Sequence, residues 1–206
     1  MSMHNTERDF YGKQTDEKIL YVIRPHKLAT IFSLIKIYLI AAVVSLALIV
    51  IGTQIGSLGG IFVTMGIILF VLMIVIGTKI VVDWESREVA YITDRRLVRF
   101  EPTTLFATNS RTLSWDEVVK VKTYPRNFVF KQMAIGNIVI HARTSIRTAE
   151  DTPANTVTAD DIEIKDVYYY KDLGNYIDKI LFTYKQKPTE TSNIMPFVLK
   201  PKGERY

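Results

Sequence analysis

The 206-residue sequence contains no cysteine. That excludes a disulfide framework and any thiolate nucleophile or thiolate metal site. It also fits a reducing cytoplasm. Histidine is scarce: His4, His26 and His141 are the only three. They are scattered, with no metal-ligand spacing among them. No cofactor is expected. Charge is also missing in one place. From Ile37 to Thr78, 42 consecutive residues carry no Asp, Glu, Lys, Arg or His. Outside that stretch the balance is mild. There are six basic and four acidic residues up to Lys36, then twenty basic and seventeen acidic from Lys79 onward. Neither part is basic enough to suggest nucleic acid as a partner.

The charge-free stretch has room for two helices of about 20 residues, the length a bilayer core of roughly 30 Å requires. A run rich in Gly and polar residues, Gly52 to Gly60, divides it. Transmembrane helices are expected over residues 28–52 and 60–82, with an extracytoplasmic turn at 53–59. Backbone groups in lipid must pair within their own segment, which favours helices. A soluble hairpin would show a polar stripe, and none is present. The run starts too far in, and is too long, for a signal peptide. Basic residues flank the hairpin and none lies in its turn, so both termini are expected in the cytoplasm. Arg24, Lys27, Lys36 and Lys79 are the expected membrane-surface contacts, with Lys36 snorkelling from inside the first span. Gly52, Gly56 and Gly60 read as turn residues ahead of a helix–helix contact.

Residues 1–27 form the N-terminal cytoplasmic segment, polar and unstructured up to Gln14. Ile19 to Ile23 suits a strand that pairs with the later domain. After the hairpin, residues 83–187 alternate short β-type runs with turns. Val89–Thr93 and Arg96–Phe100 read as a β-hairpin joined by Asp94-Arg95. Further strands are expected at Thr108–Trp115, Val118–Thr123, Ile138–Ala142 and Ile162–Val167. Tyr124–Asn127 and Gly136-Asn137 read as turns, and Ser145–Asp161 as a mobile loop. From Asp172, its expected N-cap, an apolar stripe runs through Leu173, Tyr176, Ile177, Ile180, Leu181 and Tyr184 at helical spacing. About seven strands and this helix suggest a small barrel with the helix covering one opening. Residues 188–206 read as a flexible tail, with Met195-Pro196-Phe197-Val198-Leu199 as a docking peptide. Trp84 is expected at the membrane edge and Trp115 in the core.

Two spans leading into Tyr91-Ile92-Thr93-Asp94-Arg95-Arg96-Leu97-Val98 resemble the membrane-flanked bacterial pleckstrin-homology-like (PH-like) domains of the YdbS-like type. Val118-Val119-Lys120-Val121, Gly136-Asn137-Ile138-Val139-Ile140 and the helix from Asp172 to Gln186 match the later parts of that pattern. Glu17-Lys18-Ile19-Leu20-Tyr21 looks like its lead-in. The resemblance implies a membrane protein with a PH-like barrel, used for binding and not for catalysis.

The function expected is therefore a non-enzymatic, membrane-anchored binding or scaffolding module at the cytoplasmic face. The second reading is an accessory subunit of a membrane enzyme or transporter complex. The partners expected are the bilayer and its anionic headgroups, other proteins, and further copies of the chain. Arg95 and Arg96 are candidates for ligand contact or for bracing their turn. No basic loop of the phosphoinositide-binding kind is present. Ser145 with His141 is the nearest approach to a nucleophile–base pair, and no orienting acid is evident in sequence. Two spans without a central ionisable residue argue against a transporter acting alone.

Overall fold

A computed structural model describes residues 9–56, 59–144 and 160–199. The chain divides into two compact units: Lys27–Arg87, and the residues up to His26 together with those from Glu88 onward.

The first unit is a helical hairpin of α1 (Lys27–Gln54) and α2 (Gly59–Arg87). Both helices are long and apolar enough to cross a membrane. Small residues mark their contact: Ala41, Ser45, Gly52 and Gly66 are buried. A Cβ on Gly52 would lie 2.9 Å from the Gly59 carbonyl and 3.0 Å from Phe62. Gly52 thus permits close helix approach, while Gly56 (φ +47°) supplies the left-handed turn. Gly60 meets nothing within 4 Å. The glycine run is therefore part contact and part turn. Side chains elsewhere point outward, with Leu39, Val43 and Ile61 all more than 60% exposed. Lower on the hairpin, the hydroxyls of Tyr38 and Thr78 are 2.8 Å apart, and a Cβ on Gly77 would lie 2.9 Å from Ile37. The neighbouring Lys36 and Lys79 therefore sit at one level. Both helices continue below it, where the Thr30 hydroxyl donates to Glu85. They outrun the expected spans, the second most, because Ile80 to Arg87 stays helical after the charge-free run has ended.

The second unit has seven strands in two antiparallel sheets. One has the order β1 (Ile19–Ile23), β2 (Val89–Thr93), β3 (Arg96–Pro102), β4 (Thr108–Ser114). The other runs β5 (Val118–Tyr124), β6 (Ile135–Ala142), β7 (Ile162–Tyr168). β1 does pair with the later domain, Ile23 opposite Ala90 and Val22 opposite Tyr91. The helical hairpin is thus inserted in the connection between two hydrogen-bonded strands. Alternation sorts the side chains. Ala90, Ile92, Leu97 and Leu113 face the second sheet, whose Val118, Ile138, Ile140 and Ile162 meet them around Trp115. Trp115 is fully buried and its indole N–H donates to the Thr93 carbonyl at 3.0 Å.

The expected barrel is not closed. Among the described residues, no ladder joins β4 to β5 or β1 to β7. A backbone bond, from His26 N–H to Asp166 O at 2.8 Å, reaches from beyond β1 to β7. The helix α4 (Tyr170–Gln186) buries Leu173, Ile177, Ile180 and Leu181 against the core. Its stripe is as expected, but Asp172 is not its cap. The helix begins two residues earlier, after a left-handed Tyr169 (φ 51°) with no side-chain cap bond.

Two other expectations need correction, and one stretch without a clear period gains an assignment. Gly136-Asn137 is not a turn but lies within β6, beside an irregularity in its pairing with β7. Glycine is needed at 136 because a Cβ would lie 2.8 Å from the Tyr170 ring. The stretch after Asn127 forms a short helix α3 (Phe128–Gln132), capped by Asn127 Oδ1 accepting from Phe130 N–H at 2.9 Å. The segment after Gln186, as far as Leu199, is structured. Pro188–Asn193 is a 3-10 helix, and Ile194 and Phe197 pack on the core. The expected loop falls mostly outside the described residues, Ser145 included.

Candidate functional site

The Thr93-Asp94-Arg95-Arg96 turn joins β2 to β3 and faces the segment before β1. Arg96 makes a two-pronged ion pair with Glu17, Nε to Oε1 at 2.9 Å and Nη2 to Oε2 at 2.8 Å. Nη2 also donates to the Gly12 carbonyl at 2.7 Å, and the guanidinium lies 5.9 Å from the Phe10 ring centre. Thr93 Oγ1 donates to Glu17 Oε1 at 2.8 Å, and Gln14 N–H donates to Oε2 at 3.0 Å. Asp94 Oδ1 accepts from Lys18 N–H at 2.9 Å, and Arg95 Nη1 donates to Gln14 Oε1 at 2.8 Å. Burial pushes the Glu17 carboxyl pKa up, but hydrogen bonds from Arg96, Gln14 N–H and Thr93 outweigh it and hold it below its ordinary value. The geometry makes Arg96 a brace of this turn. It also corrects the reading of residues 9–14 as unstructured, since Phe10 packs on Tyr91 with ring centres 4.7 Å apart.

The other expected contacts are dispersed. Arg24 is exposed in the β unit, and Lys27, Lys36 and Lys79 are exposed on the helical hairpin. Of these, Lys36 and Lys79 lie at one level of the hairpin, set by the helix pairing. Trp84, at 38% exposure, lies in the last turns of α2.

Where β4 and β5 part, a cavity of about 520 Å³ opens between the sheets. Arg111, Arg143, Asp116, Glu117 and Asp160 line it together with Leu113 and Ile162. Its charges are of both signs. On the opposite face of β6, His141 Nδ1 lies 3.0 Å from Asp161 Oδ2, while Asp161 Oδ1 accepts from Ala142 N–H at 3.0 Å. Asp161 supplies the acid beside His141 that is not evident in sequence, since it stands at the end of the expected Ser145–Asp161 loop. The pair extends the β6–β7 ladder by side chains. Among the described residues, no group of three metal-ligating side chains exists.

A third arrangement joins β1, α4 and the segment after the 3-10 helix. Phe197 packs against Tyr21 of β1 and Tyr176 of α4, with ring centres 5.0 and 5.2 Å away. Its N–H donates to the Leu20 carbonyl at 3.3 Å. The Tyr176 hydroxyl donates to the Met195 carbonyl at 2.7 Å. Burial pushes the pKa of both tyrosines further above an already high ordinary value. Tyr176 was legible as part of the helix stripe, and Phe197 as part of the apolar cluster near the C-terminus. Nothing local linked them.

Comparison with protein-family models, with curated proteins and with solved structures gives no match.

Proposed function

We propose that this chain is a membrane-anchored, non-enzymatic binding module of PH-like kind. The helical hairpin crosses the membrane with both termini in the cytoplasm, and the β unit recruits or assembles proteins there. The observation that carries this reading is the insertion of the apolar hairpin between paired strands β1 and β2. The β unit is then held by two polypeptide connections, through Arg24–His26 and through Glu88. Dimensions support the membrane part. From the Lys36–Lys79 level to the turn, α1 and α2 each run for about 18 to 20 residues, or roughly 27–30 Å at 1.5 Å per residue. That equals the hydrocarbon thickness of a bilayer. Outward-facing Leu, Val and Ile on every side suit lipid, not water. Lys27, Lys36 and Lys79, with Arg24, would then meet anionic headgroups. The non-enzymatic part is supported by the use of the polar groups. Arg96, Glu17, Asp94 and Asp161 are engaged in holding strands and turns together.

The absence of native cysteine makes topology simple to test. Single cysteines at Gln54 and Gln186, both exposed, are probed with an impermeant thiol reagent on intact cells. Only the Gln54 variant should label. Labelling of the Gln186 variant would reverse the orientation and remove the cytoplasmic reading. A photoreactive residue at exposed Lys179 should give a discrete protein adduct in native membranes. Turnover of a substrate by the purified chain would overturn the non-enzymatic reading.

A further inference from the structure

We propose that the groove between β1 and α4 is a peptide-docking site, and that Ile194–Leu199 is its tethered resident occupant. Its ligand is an extended segment of another polypeptide with a proline–aromatic core, which takes that place. The inference rests on the binding-module reading and names its surface and partner class.

The geometry is that of a bound peptide. Among the described strands, β1 is paired with β2 alone. An edge presents unpaired backbone groups that an extended chain can satisfy. Phe197 N–H does so at the Leu20 carbonyl, 3.3 Å away. Its ring lies against Tyr21 and Tyr176, an aromatic anchor between two aromatic walls. Two residues earlier, the Met195 carbonyl accepts from the Tyr176 hydroxyl at 2.7 Å. Pro196 stands between these contacts. It offers no N–H and limits the backbone freedom lost on binding. The groove therefore engages a carbonyl and, two residues on, an aromatic ring, with a proline between them.

Part of the occupant faces solvent. Met195 is 82% exposed and Val198 51% exposed. The Tyr176–Met195 hydrogen bond is itself exposed, and exposed hydrogen bonds mark a segment that opens below the stability of the core. The connecting Pro188–Asn193 helix keeps the segment close, so it competes at a high effective concentration.

The test uses the full chain, a chain ending at Asn193, and a labelled peptide of the sequence Ser192–Lys200. The shortened chain should bind the peptide saturably, about tenfold or more tightly than the full chain does. Phe197→Ala in the peptide should abolish binding, and Tyr176→Phe in the shortened chain should weaken it. Equal binding by both chains, or none by a folded shortened chain, overturns the proposal. If the shortened chain does not fold, Phe197→Ala in the full chain decides. Peptide binding with an unchanged melting temperature supports a displaceable occupant, and a collapse of the melt shows an integral part of the core. A full chain that is dimeric when the shortened chain is monomeric would assign the groove to a second copy and overturn the tethered reading. Survival of the Lys179 adduct without peptide binding would sink the groove alone and leave the binding module standing.

Discussion

Glu17 and Arg96 stand 79 residues apart in the chain, with the whole helical hairpin between them, and meet in a two-pronged ion pair. Glu17 has no exposed side-chain surface and Arg96 has 20%. The asymmetry sets a ranking. Arg96→Ala leaves a buried carboxylate without its cation, at a cost of about 3–5 kcal/mol. Glu17→Ala leaves a guanidinium that reaches water, and should cost less, about 2–3 kcal/mol. The double variant should be less destabilised than the sum of the two. Denaturant melts of the three variants check the order.

Two buried acids should give opposite pH signatures. Glu17 has a folded pKa below its ordinary 4.5. Its contribution is complete above that value and is lost as pH falls through the folded pKa. The stability gap between wild type and Glu17→Gln should therefore shrink on acidification below about 4.5. Asp166 is shifted the other way, upward from 3.8, by burial that outweighs Arg126. The unfolded chain ionises first as pH rises, so Asp166 costs stability above 3.8. Asp166→Asn should gain on wild type as pH rises from acid to neutral. It sacrifices only a 3.3 Å contact to an Arg126 that is 51% exposed. Melting temperatures across pH 3 to 7 would read both slopes, and a parallel pair would refute the assignment.

Periodicity made the hairpin, the β2–β3 pair and the α4 stripe legible, because each pattern repeats over many residues. The misses have local causes. α3 has five residues, too few to show a period, and its one signal was Asn127 as a cap. Gly136 reads as a turn residue, yet it is glycine to admit the Tyr170 ring. Asp172 has the chemistry of a cap, but a left-handed Tyr169 starts the helix earlier. The Glu17–Arg96, His141–Asp161 and Tyr21–Phe197 contacts required the strand registers or the path of the chain beyond α4. No sequence window contains those.

Ile177 is fully buried in the middle of the α4 face, whereas Asn175, two residues away, is exposed. Ile177→Asp places a carboxylate among Trp115-centred core residues without a partner, which costs several kcal/mol. A domain has roughly 5–15 kcal/mol to lose. That variant should unfold or aggregate, while Asn175→Asp should stay within about 0.5 kcal/mol of wild type. Equal tolerance in a thermal melt would mean that α4 is not docked.

The β unit should fold without its helical hairpin, provided β1 is kept. Replacing Lys27–Arg87 by about eight Gly and Ser residues gives a loop of ordinary length for a compact domain. β1 then still pairs with β2, Arg96 keeps Glu17, and Phe197 keeps Tyr21. The spliced chain should be soluble and rich in β structure, and should melt cooperatively. A fragment of residues 88–199 should fare far worse. It lacks Ile19, Leu20, Val22 and Ile23, each no more than 6% exposed in the full chain. Burying such side chains contributes about 1.5–3 kcal/mol apiece. Together the four rival the whole stability of a domain. The fragment would also expose the edge of β2, an open template for aggregation. Circular dichroism and size-exclusion chromatography compare the two. A fragment as soluble and as cooperative as the spliced chain would show that β1 is an accessory to the fold and not one of its strands.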